Sequence, residues 1–172
     1  TSMGLTPNAG LIMGTRCGDI DATIVPYIMD KLKLSAKEMD TILNKQSGLL
    51  GISGVSSDSR DIENGIKEGN KRCELAQNMY VRRIVDYIAK YYVELGGCDA
   101  IVFTAGVGEN SVPVRKRVME ELAVLGVELD EEKNNIRGSL QRISTNDSSI
   151  KVYVIPTDEE LMIARDTYEL AR

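Results

Sequence analysis

The first apolar residues at helical spacing are Ile24, Val25, Ile28, Met29 and Leu32, which predict a helix over residues 22–34 with Pro26 tolerable only near its first turn. Ser35 predicts the cap of a second helix running to about Gln46, with Glu38 completing a capping box and Gly48 ending the helix. The longest periodic stretch follows Gly69. There Leu75, Met79, Ile84, Val85, Ile88, Tyr92 and Leu95 form one apolar stripe that stops at Gly96 and Gly97, as a main core helix would. The pattern then changes: residues 99–104 form a short apolar run before a glycine turn and read as a buried parallel strand. A helix over 112–125 with Pro113 in its first turn, one or two helical turns at 130–135, a possible short strand at 142–144 and a strand at 151–155 follow. The chain closes with a helix over 158–171 that sets Leu161, Ala164 and Tyr168 on one face.

Two stretches lack a clear period. Residues 1–21 carry Gly4, Gly10, Gly14, Gly18 and Pro7 and read as a loop-rich segment, the kind that often bears function. Residues 48–61 mix glycine and serine with Leu49, Leu50, Ile52 and Val55, too irregular for a helix and too interrupted for a strand, and read as a functional loop. Alternating helices and strands imply an α/β layer architecture, helix-rich because only two strands are convincing. Two strands seldom make an independent sheet, so the opening strands of this sheet are expected outside the chain.

The 172 residues suit one compact unit or a piece of a larger one. Lys and Arg total 21 against 26 Asp and Glu, a net charge of 21 − 26 = −5 without blocks of like charge, which argues against a nucleic-acid surface. No apolar run approaches a membrane span and no secretory pattern opens the chain, so a cytoplasmic location is the expectation. Cys17, Cys73 and Cys98 have neither disulfide-framework nor zinc-knuckle spacing. Histidine is absent, which removes the commonest general base and most transition-metal sites from this chain. Chemistry here must use carboxylates, Arg or Lys, backbone amides and a hard cation.

Four segments could carry such chemistry. In Phe103-Thr104-Ala105-Gly106-Val107-Gly108-Glu109-Asn110-Ser111, Gly106 and Gly108 let the backbone approach a ligand and the helix start that follows offers free amides; the same pattern also serves as a plain tight connection. No GxxxxGK[ST] loop is present, and Ser111 stands where a dinucleotide fingerprint has its third glycine. In Gly14-Thr15-Arg16-Cys17-Gly18-Asp19-Ile20-Asp21, the planar guanidinium of Arg16 suits a transferring phosphoryl group, or it pairs with an Asp to brace the loop. Pro156-Thr157-Asp158-Glu159-Glu160-Leu161 places acids at the start of a helix after a strand. They read as dipole stabilisers with a Thr157–Glu160 capping box, or as ligands for Mg²⁺. Asp58-Ser59-Arg60-Asp61 is by itself a turn and a helix cap.

Thr1-Ser2-Met3-Gly4-Leu5-Thr6-Pro7 followed by Met13-Gly14-Thr15-Arg16-Cys17-Gly18-Asp19-Ile20-Asp21 resembles the acetate kinase signature, and the other three segments match that family in order. Asn8-Ala9, where many members have Leu-Glu, and Ala22, where Pro is common, depart from its pattern without touching a proposed ligand. The resemblance covers essentially the whole chain. It implies most of a C-terminal domain of ribonuclease-H-like, actin-like ATPase fold, with the N-terminal domain, the acyl pocket and the family's transition-state histidine lying upstream.

It further implies ATP-dependent phosphorylation of acetate to acetyl phosphate, with ATP/ADP and Mg²⁺ bound and a homodimer formed through this domain. By motif match, Arg16 would stabilise the transferring phosphoryl group and Asp58, Ser59 and Arg60 would line the adenosine site. Gly106, Val107, Gly108, Glu109 and Asn110 would pass beneath the adenine and ribose, and Glu159, with Glu160 as its neighbour, would hold Mg²⁺. On this reading the chain alone is inactive, since half the cleft is missing. The alternatives are a propionate or butyrate kinase of the same family, or a non-catalytic interaction module.

Overall fold

The computed structural model describes residues 1–172 and divides them into two compact units, Thr1–Gly97 and Cys98–Arg172. The first unit is helical. Its order is α1 (Ile24–Leu32), α2 (Ala36–Lys45), α3 (Gly48–Ser53), α4 (Ser59–Lys67) and α5 (Lys71–Leu95). The predicted capping box opens α2, with the Ser35 hydroxyl accepting from the Glu38 N–H and the Glu38 carboxylate accepting from the Ser35 N–H. Gly48 does not end that helix; it begins α3 with a φ of 63°. The 48–61 stretch expected as a loop therefore holds a one-and-a-half-turn helix and the start of another, with only a short serine-rich link between them. Its irregular apolar spacing reflects helices too short to show a period.

The core of this unit is Leu49, Ile62, Cys73 and Ala76, with Ile52, Ile66 and Tyr80 packed against it. On α5 the buried positions are Cys73, Ala76, Gln77, Val81 and Val85. The expected stripe is thus only partly inward, since Leu75, Met79 and Leu95 are exposed. Small residues decide which face turns in. A Cβ on Gly65 of α4 would lie 2.6 Å from the Cys73 sulfur, so α4 and α5 meet where side chains are smallest.

The second unit holds the sheet: β1 (Ala100–Phe103), β2 (Gln141–Arg142) and β3 (Lys151–Val154), in spatial order β1-β3-β2. β1 runs parallel to β3, pairing Ala100 with Lys151 and Phe103 with Val154, and β2 runs antiparallel to β3. Only the middle strand is well covered. Val152 and Val154 are buried, whereas Val102 on the edge strand β1 is 48% exposed, so β1 is not the fully buried strand its sequence suggested. The helices are α6 (Ala105–Asn110), α7 (Val112–Glu121), α8 (Glu131–Asn134) and α9 (Glu159–Leu170), with a 3-10 turn at Leu122–Leu125. Val114, Val118, Met119 and Leu122 join Val127, Ile143 and Ile150 among the buried residues of this unit. Every residue of α9 is exposed, including Leu161, Met162, Ile163 and Tyr168, so the face that carries Leu161, Ala164 and Tyr168 is not buried in this unit. No helix is long and apolar enough to cross a membrane.

Candidate functional site

In the first unit, the loop carrying Arg16 is fixed through its backbone. The Met13 N–H donates to the Arg16 carbonyl, the Cys17 N–H to Leu43, and the Thr15 and Met13 carbonyls accept from Ser47 and Leu49 at the entry to α3. The Thr15 hydroxyl donates to the Asn44 carbonyl. This packing requires Gly48, because a Cβ there would sit 2.1 Å from the Met13 carbonyl oxygen. The result is a half-buried arginine on a rigid turn.

The guanidinium of Arg16 meets only the Met13 sulfur, at 3.6 Å. The carboxylates read as its alternative partners are engaged elsewhere: Asp19 accepts from the Gly10 N–H and the Tyr87 hydroxyl, and Asp21 from the N–H and hydroxyl of Thr23. The loop-bracing ion pair therefore does not form. Bonds from Tyr87 and Gly10 hold the Asp19 carboxyl below the usual carboxylate range, and those from Thr23 do the same for Asp21.

Asp58 caps α4 by accepting from the Arg60 N–H, and its carboxylate also takes the Arg60 side chain at 2.6–3.1 Å. This bonding pulls the Asp58 pKa down to about 2. Ser59 is the first residue of α4 and half-buried. Asp58 and Arg60 satisfy one another, as the turn-and-cap reading requires.

In the second unit, the glycine segment is not an open turn but α6 itself. It begins at Ala105, whose φ of 57° is left-handed and uncommon for a residue with a side chain. The two glycines have different causes. A Cβ on Gly108 would lie 3.3 Å from the Phe103 carbonyl carbon, so packing on β1 accounts for it. A Cβ on Gly106 would meet nothing within 4 Å and its φ is ordinary, so neither conformation nor crowding explains a glycine there.

Gly106 opens onto a cavity of about 440 Å³ lined by Ala105, Glu109, Thr157, Asp158, Glu159 and Glu160. It lies beyond the carboxyl ends of β1 and β3, where open α/β sheets place their ligands. The structure thus brings Gly106, Glu109 and Glu159 together.

One residue joins the two sides of this cavity. Thr157 donates its N–H to Glu109 Oε1 at 2.8 Å and its hydroxyl lies 3.0 Å from the same oxygen. That hydroxyl also accepts from the Ala105 N–H and sits 2.6 Å from the Thr104 hydroxyl. The expected Thr157–Glu160 capping box is therefore replaced: Asp158 caps α9 through the Leu161 N–H, leaving Thr157 for α6. The bonds from Thr157 hold the Glu109 carboxyl below its usual range, so this carboxylate is a brace and not a free ligand. Asn110 turns back to donate to the Gly106 carbonyl.

Beneath α6 lies a residue that the sequence did not single out. Arg115 is fully buried, although it stands in the basic run Arg115-Lys116-Arg117. It donates to the Gly108 and Glu109 carbonyls on one side and to Asn134 and the Ile136 carbonyl on the other.

Three carboxylates do not converge on a point anywhere in the structure. Glu159 and Glu160, exposed in the first turn of α9, fit a Mg²⁺ ion that keeps most of its water and takes phosphate oxygens, as that ion commonly does.

A parallel strand pair with a ligand-sized cavity at its carboxyl ends, bordered by an unexplained glycine and two unpaired carboxylates, is the arrangement of an α/β ligand-binding protein. Comparison with known proteins narrows this. The acetokinase family model matches residues 1–165. An acetate kinase of Treponema denticola is 59% identical over 172 residues, all of this chain and 43% of its own. The crystal structure of Porphyromonas gingivalis acetate kinase superposes with a TM-score of 0.94 at 45% identity, over 99% of this chain and 43% of that one. A propionate kinase from Francisella tularensis superposes with a TM-score of 0.88 at 44% identity, over 95% of this chain and 41% of that one. The chain belongs to the acetokinase family, and it spans a little over two fifths of the length of these relatives.

Proposed function

We propose that this chain is most of the C-terminal, nucleotide-binding domain of an acetate kinase, which transfers the γ-phosphate of ATP reversibly to a carboxylate oxygen of acetate. One observation carries the reading: Gly106, a glycine the fold does not need, opens onto the same cavity as Glu159. Family membership supplies the reaction class. Such a transfer depends on positioning and charge neutralisation more than on covalent chemistry, which a chain without histidine can serve.

In this proposal Arg16, held on its rigid turn without an acidic partner, neutralises charge on the transferring phosphoryl group. Gly106 receives the flat face of the purine against bare backbone, with Val107, Gly108, Glu109 and Asn110 completing the support. Asp58, Ser59 and Arg60 line the adenosine side; any contact that Asp58 or Arg60 makes there is shared with their mutual pair. Glu159 and Glu160 would hold Mg²⁺, which supplies charge neutralisation on the phosphates when bound. The comparable identity to an acetate kinase and a propionate kinase, 45% and 44%, supports propionate as a second acceptor reading. Competition between the two acids in the full-length protein separates them.

The test is calorimetry of ATP with Mg²⁺ on this chain and on Gly106→Val. The added side chain meets no protein atom within 4 Å at its Cβ, so the variant is expected to fold and lose binding. Equal binding by both proteins would remove the nucleotide from this position.

A further inference from the structure

We infer that Arg115 is a positioning residue for the nucleotide: it holds α6 in the shape that receives the purine, without touching the ligand. The inference rests on the proposed placement of the nucleotide at Gly106. Its basis is a buried cation with an unusual set of partners. All five of its hydrogen bonds end on neutral oxygens, the Asn134 side chain and four backbone carbonyls, at 2.8–2.9 Å. A buried charge normally calls for a countercharge, and no carboxylate pairs with this one.

The division of the bonds shows what the charge does. Nη1 takes the Gly108 and Glu109 carbonyls, which belong to the last turn of α6, while Nε and Nη2 take Asn134 and the carbonyl of Ile136 just after α8. At six residues α6 is too short to be stable by itself, and it starts from a left-handed Ala105. Thr157 fastens its top to the β3–α9 link, and Arg115 fastens its base to α8. Lysine cannot replace this fork, because a single ammonium offers three donors from one point where the guanidinium offers five in a plane.

The experiment compares Arg115→Lys and Arg115→Gln with Val118→Ala in the full-length protein, measuring the KM for ATP, the KM for acetate, kcat and the thermal midpoint. Val118 is fully buried on the same helix, one turn from Arg115, and its truncation lowers stability without removing a bond to α6. The expected result is an ATP KM raised about tenfold or more in both Arg115 variants, the scale of loss that small misplacements of binding groups produce, with acetate KM and kcat at saturating ATP within about twofold of the parent. Val118→Ala should leave the ATP KM unchanged. An unshifted ATP KM in folded Arg115 variants, an equal shift in Val118→Ala, or failure of both Arg115 variants to fold would each overturn the inference in favour of a purely structural role. Gly106→Val in the same assay separates the two levels. If it leaves ATP KM unchanged, the placement of the nucleotide is wrong; if it raises ATP KM while the Arg115 variants do not, only the role of Arg115 falls.

Discussion

Asp58 and Arg60, two residues apart, form a pair whose charge state has a measurable consequence. The folded carboxyl, held at about 2 by its bonds to Arg60, lies below the ordinary aspartate value of about 3.9. A depressed folded pKa contributes stability that is complete above the unfolded value and is lost as pH falls through the folded one. Asp58→Asn keeps a capping side chain but removes the charge. Its thermal midpoint should fall slightly below the parent's at pH 7, because the pair is exposed, and the gap should close between about pH 4 and pH 2. A gap that stays constant over that range would show that the ion pair contributes nothing. The sequence made this cap legible because Asp-Ser-Arg-Asp is a local signal. It did not reveal Arg115, because a basic run on a helix has an ordinary local reading and the partners Asn134 and Ile136 lie 19 and 21 residues away; and it paired Thr157 with nearby Glu160, whereas the partners of Thr157 lie 48 to 53 residues away.

Elements with a long period were readable and short ones were not. α2 begins at the Ser35 cap and α7 with the first-turn proline that the sequence announced, and α5 was visible from the length of its apolar period. α3 and α6 escaped notice since six residues cannot display a 3.6-residue repeat and both contain glycines that look like breakers. Which face of α5 is inward was also unreadable, for the choice depends on Gly65 of α4 facing Cys73. The α3 entry gives a direct check. Gly48→Ala forces a left-handed side chain against the Met13 carbonyl and should destabilise the protein by at least the roughly 1–3 kcal/mol of a residue held in that region. Denaturant unfolding reads this, and a change within about 0.5 kcal/mol, the range of an ordinary surface substitution, would show that the loop carrying Arg16 yields easily.

For the molecule as a whole, family membership was legible because four motifs stand in order, and the comparisons agree over residues 1–165. Burial was less so, because apolar periodicity marks a face without saying what covers it. α9 carries Leu161, Met162, Ile163 and Tyr168 in the open, and α5 leaves Leu75, Met79, Val93 and Leu95 exposed. The homodimer proposed from the family resemblance would cover part of the α5 surface. Sedimentation of the chain at high micromolar concentration should then show a species of twice the 18.9 kDa protomer mass, and a monomer throughout would count against it.

The Thr157 clamp has a mechanical consequence. Ala105, the first residue of α6, and Glu109, its last but one, are both tied to this single threonine, two positions before Glu159. The helix has no free end at which to swing, so the spacing from Gly106 to Glu159 behaves as a fixed gauge. With the purine on Gly106 as proposed, a nucleotide would be measured along its length, from ring to phosphate, within this one unit of the protein.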